Sequence, residues 1–205
     1  MTAERALVCV VDDDASVREA LGSLLRVLGF RVGTFDSAEA FLAQSRPHVP
    51  TCLILDVRMP GISGLELQRQ LRQRLEPIGV VFITAHGDIP MAVEAVKGGA
   101  VEFLTKPFDE SQLRQAVESA LRMSADALGE REERSELLAR LRTLTPRERE
   151  IAELVVAGLR NKQVAARLGI SEITVKVHRH SVMAKMGAAS LAQLVAAFER
   201  LRRGA

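Results

Sequence analysis

Short apolar runs alternate with amphipathic segments over the first 121 residues of the chain. The runs occupy residues 7–11, 31–35, 51–55, 80–83 and 101–104. They are too short for most helices and nearly free of charge, as expected for strands buried on both faces. Apolar residues recur at helical spacing near 15–28, 37–44, 64–75, 90–98 and 109–122. This order predicts an α/β domain with a five-stranded parallel sheet covered by helices.

Residues 145–205 show only helical spacing, in four segments separated by short breaks. Thr145, Pro146 and Glu148 predict the first helix start, because Thr caps, Pro fits the first position and Glu completes a capping box. The other segments span 161–169, 171–187 and 190–203. The tight turn at 169–171 is typical of a helix-turn-helix. An all-α four-helix domain is therefore predicted.

The third of these helices is the one that a helix-turn-helix protein inserts into the major groove. Its spacing predicts that Ile173, Val177 and Met183 face the core of the domain. The polar residues expected on the outer side are Thr174, Lys176, Arg179 and His180.

Residues 122–143 join the two predicted domains and carry a dense run of both charges. Their few leucines form no long heptad repeat. Two interpretations stay open, a solvated helical linker and a dimerising coiled coil. Gly129 is expected to interrupt the helix at this point.

Charge is distributed unevenly along the chain, although the net charge is only +2. Residues 1–121 carry 12 Lys and Arg against 16 Asp and Glu, which gives −4. Residues 145–205 carry 11 against 5, which gives +6. Only the second half is therefore expected to bind a polyanion. The chain has no Trp or Tyr, so aromatic stacking on bases is not its expected binding mode.

Composition also narrows the cellular setting. The short apolar run near the N-terminus is followed at once by charges, so neither a signal peptide nor a membrane span is predicted. Cys9 and Cys52 lie inside strand-like runs. We interpret them as small buried hydrophobic residues in a reducing compartment, not as a disulfide or a metal pair.

Polar side chains follow the predicted strands at their carboxyl ends, where parallel sheets bind ligands. These residues are Asp12, Asp13 and Asp14 after the first strand, Asp56 after the third, Thr84 at the fourth, and Thr105, Lys106 and Pro107 at the fifth. Crowded carboxylates repel unless a cation compensates, and their oxygens suit Mg²⁺. A carboxylate in such a site can attack phosphorus, and a Lys can neutralise the transferred group. Asp14 is equally well explained as a helix cap.

The segments VDD, LILD, FIT and LTKPF at these strand ends, with DVRMPGISGLEL after Asp56, resemble a response-regulator receiver domain of the flavodoxin-like type. The resemblance implies that Asp56 is the phosphoacceptor. It also implies that Mg²⁺ or Mn²⁺ is held by Asp12, Asp13, Asp56 and the backbone carbonyl of Arg58.

The same resemblance implies a conformational switch. Thr84 and Lys106 would sense the phosphoryl group, and Phe103, where the family often has Tyr, would turn inward. The Lys106–Pro107 bond is expected to be cis. His86 lies either near the phosphoryl group or in an exposed loop.

The stretches TAHGDIPMAVEAVKGGAVEFLTKPF and LTPREREIAELVVAGLRNKQVAARLGISEITVKVHRHSVMAKM resemble the FixJ branch of the NarL/FixJ two-component response regulators, including styrene-catabolism regulators. This resemblance implies a receiver domain at 1–121, a helical linker at 122–143 and a LuxR-type DNA-binding domain at 144–205. The implied base contacts are Lys176, Val177 and His180. The expected phosphate contacts are Asn161, Lys162, Thr174 and Arg179.

The partners implied are a sensor histidine kinase, double-stranded DNA, a second copy of the chain and RNA polymerase, in the cytoplasm. Our hypothesis is that phosphorylation of Asp56 exposes a dimer surface. That surface is expected to include Met91, Val93, Ala95 and Val101. The last helix would add dimer contacts through its Leu191–Phe198 face.

Two other functions compete with this interpretation. Phosphatases with an aspartate nucleophile usually carry a second Asp two residues further on, where this chain has Arg58. That difference argues against an enzyme. A constitutive DNA-binding protein, whose first domain serves only for dimerisation, stays open.

Overall fold

The computed structural model describes residues 6–85 and 88–203. His86 therefore lies outside the described residues, and its two predicted environments stay open. The chain forms two compact units that divide between Gly129 and Glu130.

The first unit alternates strands and helices within its described residues. Its elements are β1 (Leu7–Val11), α1 (Ala15–Val27), β2 (Arg31–Phe35), α2 (Ala38–Ala43), β3 (Thr51–Leu55), α3 (Gly64–Gln73), β4 (Ile78–Thr84), α4 (Ile89–Lys97), β5 (Glu102–Thr105) and the start of α5 (Glu110–Arg142). All strand pairs are parallel, in the order β2-β1-β3-β4-β5. The predicted α/β fold with a five-stranded parallel sheet is confirmed.

Alternate residues of the strands face two hydrophobic clusters, one on each side of the sheet. On one side Val10 and Ile54 pack with Val117 of α5. On the other side Leu53 packs with Phe41 of α2. Because successive side chains of a strand point to opposite faces, the mostly apolar central strands β1, β3 and β4 are buried on both faces.

Cys9 and Cys52 belong to opposite clusters and are both free and buried. Burial raises the pKa of the Cys9 thiol to about 11 and also raises the pKa of Cys52. Thiols that stay protonated are poor nucleophiles and poor metal ligands. The interpretation of both residues as buried hydrophobic residues is confirmed.

Helix α5 packs closely against the sheet at two points. A Cβ atom at Gly79 of β4 would overlap the backbone of Ala120 in α5, so only glycine fits there. The Ser124 hydroxyl, which is 1% exposed, accepts a hydrogen bond from the Thr51 amide at 2.8 Å. It donates one to the Pro77 carbonyl at 2.5 Å. Strand β4 begins at Ile78, earlier than its apolar run at 80–83 predicts.

The helix α5 is continuous from Glu110 to Arg142, so the predicted interruption at Gly129 is wrong. One glycine costs a helix only about 1 kcal/mol relative to alanine. The flanking residues of α5 are mostly good helix formers, and that cost is too small to break the helix.

The second unit contains α6 (Pro146–Val156), α7 (Asn161–Leu168), α8 (Glu172–Met186) and α9 (Leu191–Arg203). Their apolar faces meet in one cluster that includes Ile151, Val164, Val182, Leu194 and Phe198. This arrangement confirms the predicted helical domain. Leu191 is 42% exposed, and the predicted dimer role of the Leu191–Phe198 face stays a prediction. Leu194 and Phe198 are only 1% and 6% exposed. These apolar residues cover the core of their own unit.

No single helix among the described residues is both long and apolar enough to cross a membrane. Helices α8 and α9 pass that test only together, as a pair bent by 61°.

Glu148 connects α6 to α8. Its carboxylate accepts hydrogen bonds from the Thr145 amide at 2.8 Å, from Lys185 Nζ at 2.6 Å and from the Ser181 hydroxyl at 2.5 Å. The hydrogen bonds from Lys185 and Ser181 are the main reasons why the pKa of Glu148 falls to about 2. The predicted capping box is present, and Glu148 also joins two helices.

Candidate functional site

The carboxyl ends of adjacent strands bring the predicted pocket residues together. Asp12 follows β1, Asp56 follows β3, Thr84 ends β4 and Lys106 follows β5, and these strands are neighbours. The Nζ atom of Lys106 lies 3.7 Å from Oδ2 of Asp12. The Thr84 side chain is hydrogen-bonded to Asp56. Two carboxylates, a hydroxyl and a cation therefore share one edge of the sheet.

Electrostatics in this pocket disfavour negative charge. Burial is the main cause that raises the pKa of Asp12, and the carboxylates of Asp56 and Asp13 raise it further. Burial also raises the pKa of Asp56, despite the hydrogen bonds and the Lys106 cation that lower it. A cation bound beside such a carboxyl group would lower its pKa again, because the positive charge favours the ionised form.

The turn after Asp56 is held by backbone amides and by a distant carboxylate. The Arg58 amide donates to Oδ2 of Asp56 at 2.9 Å. The Ile62 amide donates to Oε1 of Glu39 on α2 at 3.1 Å. Sequence reasoning missed Glu39, because a contact between residues 23 positions apart leaves no local pattern.

The donor set of the pocket fits Mg²⁺ or Mn²⁺. In the part of the chain that is described, no three His, Cys, Asp or Glu side chains converge to enclose a metal ion. Mg²⁺ needs only one or two carboxylates, because it keeps several of its waters. Asp12 and Asp56 are oxygen donors in a pocket that raises their pKa values, and Asp13 is exposed beside them. Arg58 is exposed and follows β3, two residues after Asp56.

Asp14 and Lys106–Pro107 have the local structures expected of them. Asp14 is the N-cap of α1, and its Oδ1 accepts a hydrogen bond from the Ser16 amide at 2.8 Å. The helix-cap interpretation of Asp14 therefore holds. The Lys106–Pro107 peptide bond is cis, as predicted.

The two predicted switch residues already face the interior. Thr84 is 2% exposed and is hydrogen-bonded to Asp56. Phe103 is partly buried, and its ring centroid lies 6.2 Å from that of Phe82. A large inward movement of Thr84 is therefore not needed to reach the pocket from this conformation.

The residues predicted for the dimer surface occupy different environments. Val93 is 44% exposed, and Met91 and Val101 are partly buried. Ala95 is 0% exposed, so its inclusion was wrong. It lies on the side of α4 that packs against the sheet cluster. The other exposed apolar residues of α4 are Ile89 and Val96.

Helices α7 and α8 form the predicted helix-turn-helix. Gly169 ends α7 with a φ of 65°, a left-handed conformation that favours glycine. Ser171 caps α8, and its hydroxyl accepts from the Thr174 amide at 3.1 Å. Thr174 Oγ1 also lies within hydrogen-bond distance of Ser171 Oγ, at 2.8 Å. Thr174, which is predicted to contact a phosphate, therefore also takes part in the cap of α8.

The core-facing side of α8 differs from the predicted one at Ile173 and Val177, whereas Met183 packs against the core as predicted. Val175, Val182 and Met186 are buried, whereas Ile173 and Val177 are 73% and 64% exposed. Both sets of residues have helical spacing, so periodicity alone cannot choose between them. Packing against α6, α7 and α9 places the set with Val175 inside.

The polar residues predicted to contact DNA lie on α7 and α8. Lys176, His180 and Lys162 are exposed. The guanidinium of Arg179 donates to Oδ1 of Asn161 at 2.5 Å, which joins the start of α7 to α8. Arg179 and Asn161, both predicted to contact phosphates, are therefore hydrogen-bonded to each other.

Comparison with known proteins covers both units. Residues 8–118 match the family described as response regulator receiver domain. Residues 142–198 match the family described as bacterial regulatory proteins, luxR family. The chain is 47% identical over 202 residues to response regulator protein TmoT of Ectopseudomonas mendocina, which covers 98% of this chain and 92% of that protein. It is 46% identical over 188 residues to transcriptional regulatory protein FixJ of Rhizobium meliloti, covering 92% of each.

Two solved structures of similar length resemble this chain. The response regulator StyR is 52% identical with a TM-score of 0.81, covering 96% of this chain and 99% of that one. Full-length FixJ from B. japonicum is 41% identical with a TM-score of 0.55, covering 96% and 97%.

Proposed function

The chain belongs to the response regulators that combine a receiver domain with a LuxR-type DNA-binding domain, as its sequence predicted, and we propose that phosphorylation of Asp56 controls its binding to promoter DNA. These proteins are transcription regulators, not an enzyme family. The proposal assigns 1–121 to the receiver, 122–143 to a helical linker and 144–205 to the DNA-binding domain. The compact units, which divide after Gly129, support a two-part arrangement.

The observation that carries the proposal is the environment of Asp56. Its carboxylate sits at the end of β3, hydrogen-bonded to Thr84 and to the Arg58 amide, in the field of the Lys106 cation. An Asp56 oxygen can attack the phosphorus of a phosphohistidine on a sensor kinase. The new O–P bond forms as the P–N bond breaks, and the electron pair returns to the imidazole. Lys106 then lies near the added charge.

The residues that would hold Mg²⁺ or Mn²⁺ are Asp12, Asp13, Asp56 and the Arg58 carbonyl. When bound, the ion offsets the negative charge of the phosphoryl group. The chain's own contribution is to keep Asp12 and Asp56 at adjacent strand ends and to place Lys106 beside them. We expect only this phosphotransfer and slow loss of the phosphoryl group, without turnover of another substrate.

The proposed output is a dimer that binds two half-sites on DNA. The exposed Val93, with Met91 and Val101, would contribute to the receiver interface. On DNA, Lys176, Val177 and His180 would read bases. Asn161, Lys162, Thr174 and Arg179 would contact phosphates. The excess of positive charge in 145–205 supports this half as the polyanion-binding one. We also propose RNA polymerase as a partner and the cytoplasm as the location of the protein.

The test compares wild type, Asp56→Asn and the control Asp126→Asn, which changes an exposed Asp of α5. Each full-length chain is incubated with a small phosphodonor and Mg²⁺. Mass, oligomeric size and affinity for a selected DNA duplex are then measured. We expect wild type and Asp126→Asn to gain one phosphoryl group, to dimerise and to bind more tightly, while Asp56→Asn does none of these.

Other results would favour the competing functions. Equal DNA affinity with and without phosphorylation would identify a constitutive DNA-binding protein. Release of inorganic phosphate from added phosphate esters over many cycles, lost in Asp56→Asn, would identify a phosphatase.

A further inference from the structure

Two large apolar side chains lie uncovered on one face of α8. Ile173 is 73% exposed and Val177 is 64% exposed, one helical turn apart. At about 100° per residue, they point away from the buried side that carries Val175 and Val182. Folding of this unit therefore makes little use of the two side chains. Together they form the Ile173–Val177 pair.

The pair lies at the end of α8 that a recognition helix presents to base edges. Ser171 is the N-cap, so Ile173 is the second residue of the helix. The hydrogen bond from the Thr174 amide to the Ser171 hydroxyl fixes this first turn. Ile173 is thus held in an ordered helical position instead of a loose loop. It was not among the residues that the sequence predicted to contact DNA.

Basic residues lie near the pair. Lys176 and His180 are exposed on α8 near the same face. Residues 145–205 carry a net charge of +6. A partner that matches this surface combines negative charge with small apolar groups. The major groove of DNA offers both, because each thymine presents a 5-methyl group beside the phosphate backbones.

We propose that Ile173 is a specificity-determining residue, and that the Ile173–Val177 pair packs against thymine methyl groups in the operator. This inference rests on the proposed function, since it requires that α8 enters the major groove. It adds Ile173 to the base contacts proposed for Lys176, Val177 and His180, and it assigns thymine methyl groups as the partners of both apolar side chains. The operator half-site should therefore contain thymines whose methyl groups contribute to the binding affinity.

The test uses the full-length chain and a duplex selected by it from random DNA. Each thymine of that duplex is replaced singly by deoxyuridine, which lacks only the 5-methyl group. For wild type, we expect about fourfold weaker binding at one or two positions, from the free energy of burying one methyl group. Ile173→Ala should bind thymine and deoxyuridine equally at one of these positions. Val177→Ala should do so at an adjacent one.

The matched control is Val27→Ala, which truncates a valine that is 84% exposed at the end of α1. It should keep the full thymine preference. A thymine preference that survives Ile173→Ala, or its absence in wild type, would overturn the inference while leaving DNA binding intact. Unchanged DNA affinity and thymine preference in Ile173→Ala, with loss of transcription by purified RNA polymerase, would overturn it in favour of a protein partner. Failure to select any duplex would instead contradict the proposed function.

Discussion

Gly64 lies at the start of α3, where the chain turns back under the strand end that carries Asp56. Its amide donates a hydrogen bond to the Val57 carbonyl at 3.1 Å. A Cβ atom added at Gly64 would overlap the Asp56 carbonyl oxygen and lie 3.1 Å from Leu55 Cγ. Backbone atoms cannot rotate away as the end of a side chain can. We therefore expect Gly64→Ala to displace the turn that positions Asp56.

Two free-energy terms determine the effect of Gly64→Ala on stability. Alanine is favoured over glycine within a helix by about 1 kcal/mol. Overpacking a rigid site costs about 1–3 kcal/mol, and backbone overlap places this site near the upper end. The receiver should lose about 1–2 kcal/mol of unfolding free energy on balance.

The effect on phosphorylation should be larger than the effect on stability. The carbonyl that must move belongs to Asp56 itself, so its carboxylate moves with it. A displacement of about 1 Å from the productive geometry can slow a reaction about 100-fold. We expect Gly64→Ala to accept a phosphoryl group about 10- to 100-fold more slowly.

The assay follows phosphorylation of full-length protein by intact mass, with a small phosphodonor and Mg²⁺. Unfolding in urea is followed by far-ultraviolet circular dichroism, because the chain has no Trp or Tyr for fluorescence. Gly129→Ala is the matched control, since nothing lies within 4 Å of a Cβ added there. It should stabilise α5 by about 1 kcal/mol and leave phosphorylation unchanged. If Gly64→Ala is phosphorylated at the wild-type rate and unfolds at the wild-type urea concentration, this reasoning is refuted.

Three further predictions concern stability. Ser124→Ala should lower the unfolding free energy in urea by about 2 kcal/mol, because it leaves the buried Thr51 amide without its hydrogen bond, whereas exposed Ser135→Ala should change it by less than about 0.5 kcal/mol. Because the folded pKa of Glu148 is depressed to about 2 from 4.5, its stabilising effect is present above pH 4.5 and is lost as the pH falls toward 2. When helix content is followed as the pH is lowered, wild type should lose helix between pH 4.5 and 2. A smaller loss in Glu148→Gln over this range would support the assignment of the effect to Glu148. Burial raises the pKa of Asp12, so its ionised form destabilises the fold at neutral pH and this effect fades as the pH falls. Asp12→Asn should raise the melting temperature without Mg²⁺ and reduce the further increase that Mg²⁺ gives to wild type; equal Mg²⁺ responses would contradict the metal assignment.

Local patterns determined both folds and most of the candidate pocket. The strands and helices follow from apolar spacing, because burial of each element depends on its own periodicity. Asp12, Asp56, Thr84 and Lys106 were predicted because each lies at or just after the carboxyl end of a strand, and a parallel sheet brings these ends together. The cap at Asp14 and the capping box at Glu148 were also local signals.

Contacts between distant segments were decided only by the tertiary structure. Glu39 holds the turn after Asp56, and Ser124 binds the Thr51 amide from 73 residues away, although neither has a local signal. Ala95 was misassigned to a surface because α4 is apolar on more than one side.

The sequence by itself determined that α8 is a helix with basic residues, and its spacing predicted that Ile173 and Val177 face the core. Only the tertiary structure decided that Val175 faces the core and that Ile173 and Val177 do not. The physical reason is that periodicity defines which residues share a face, whereas burial depends on where the neighbouring helices pack.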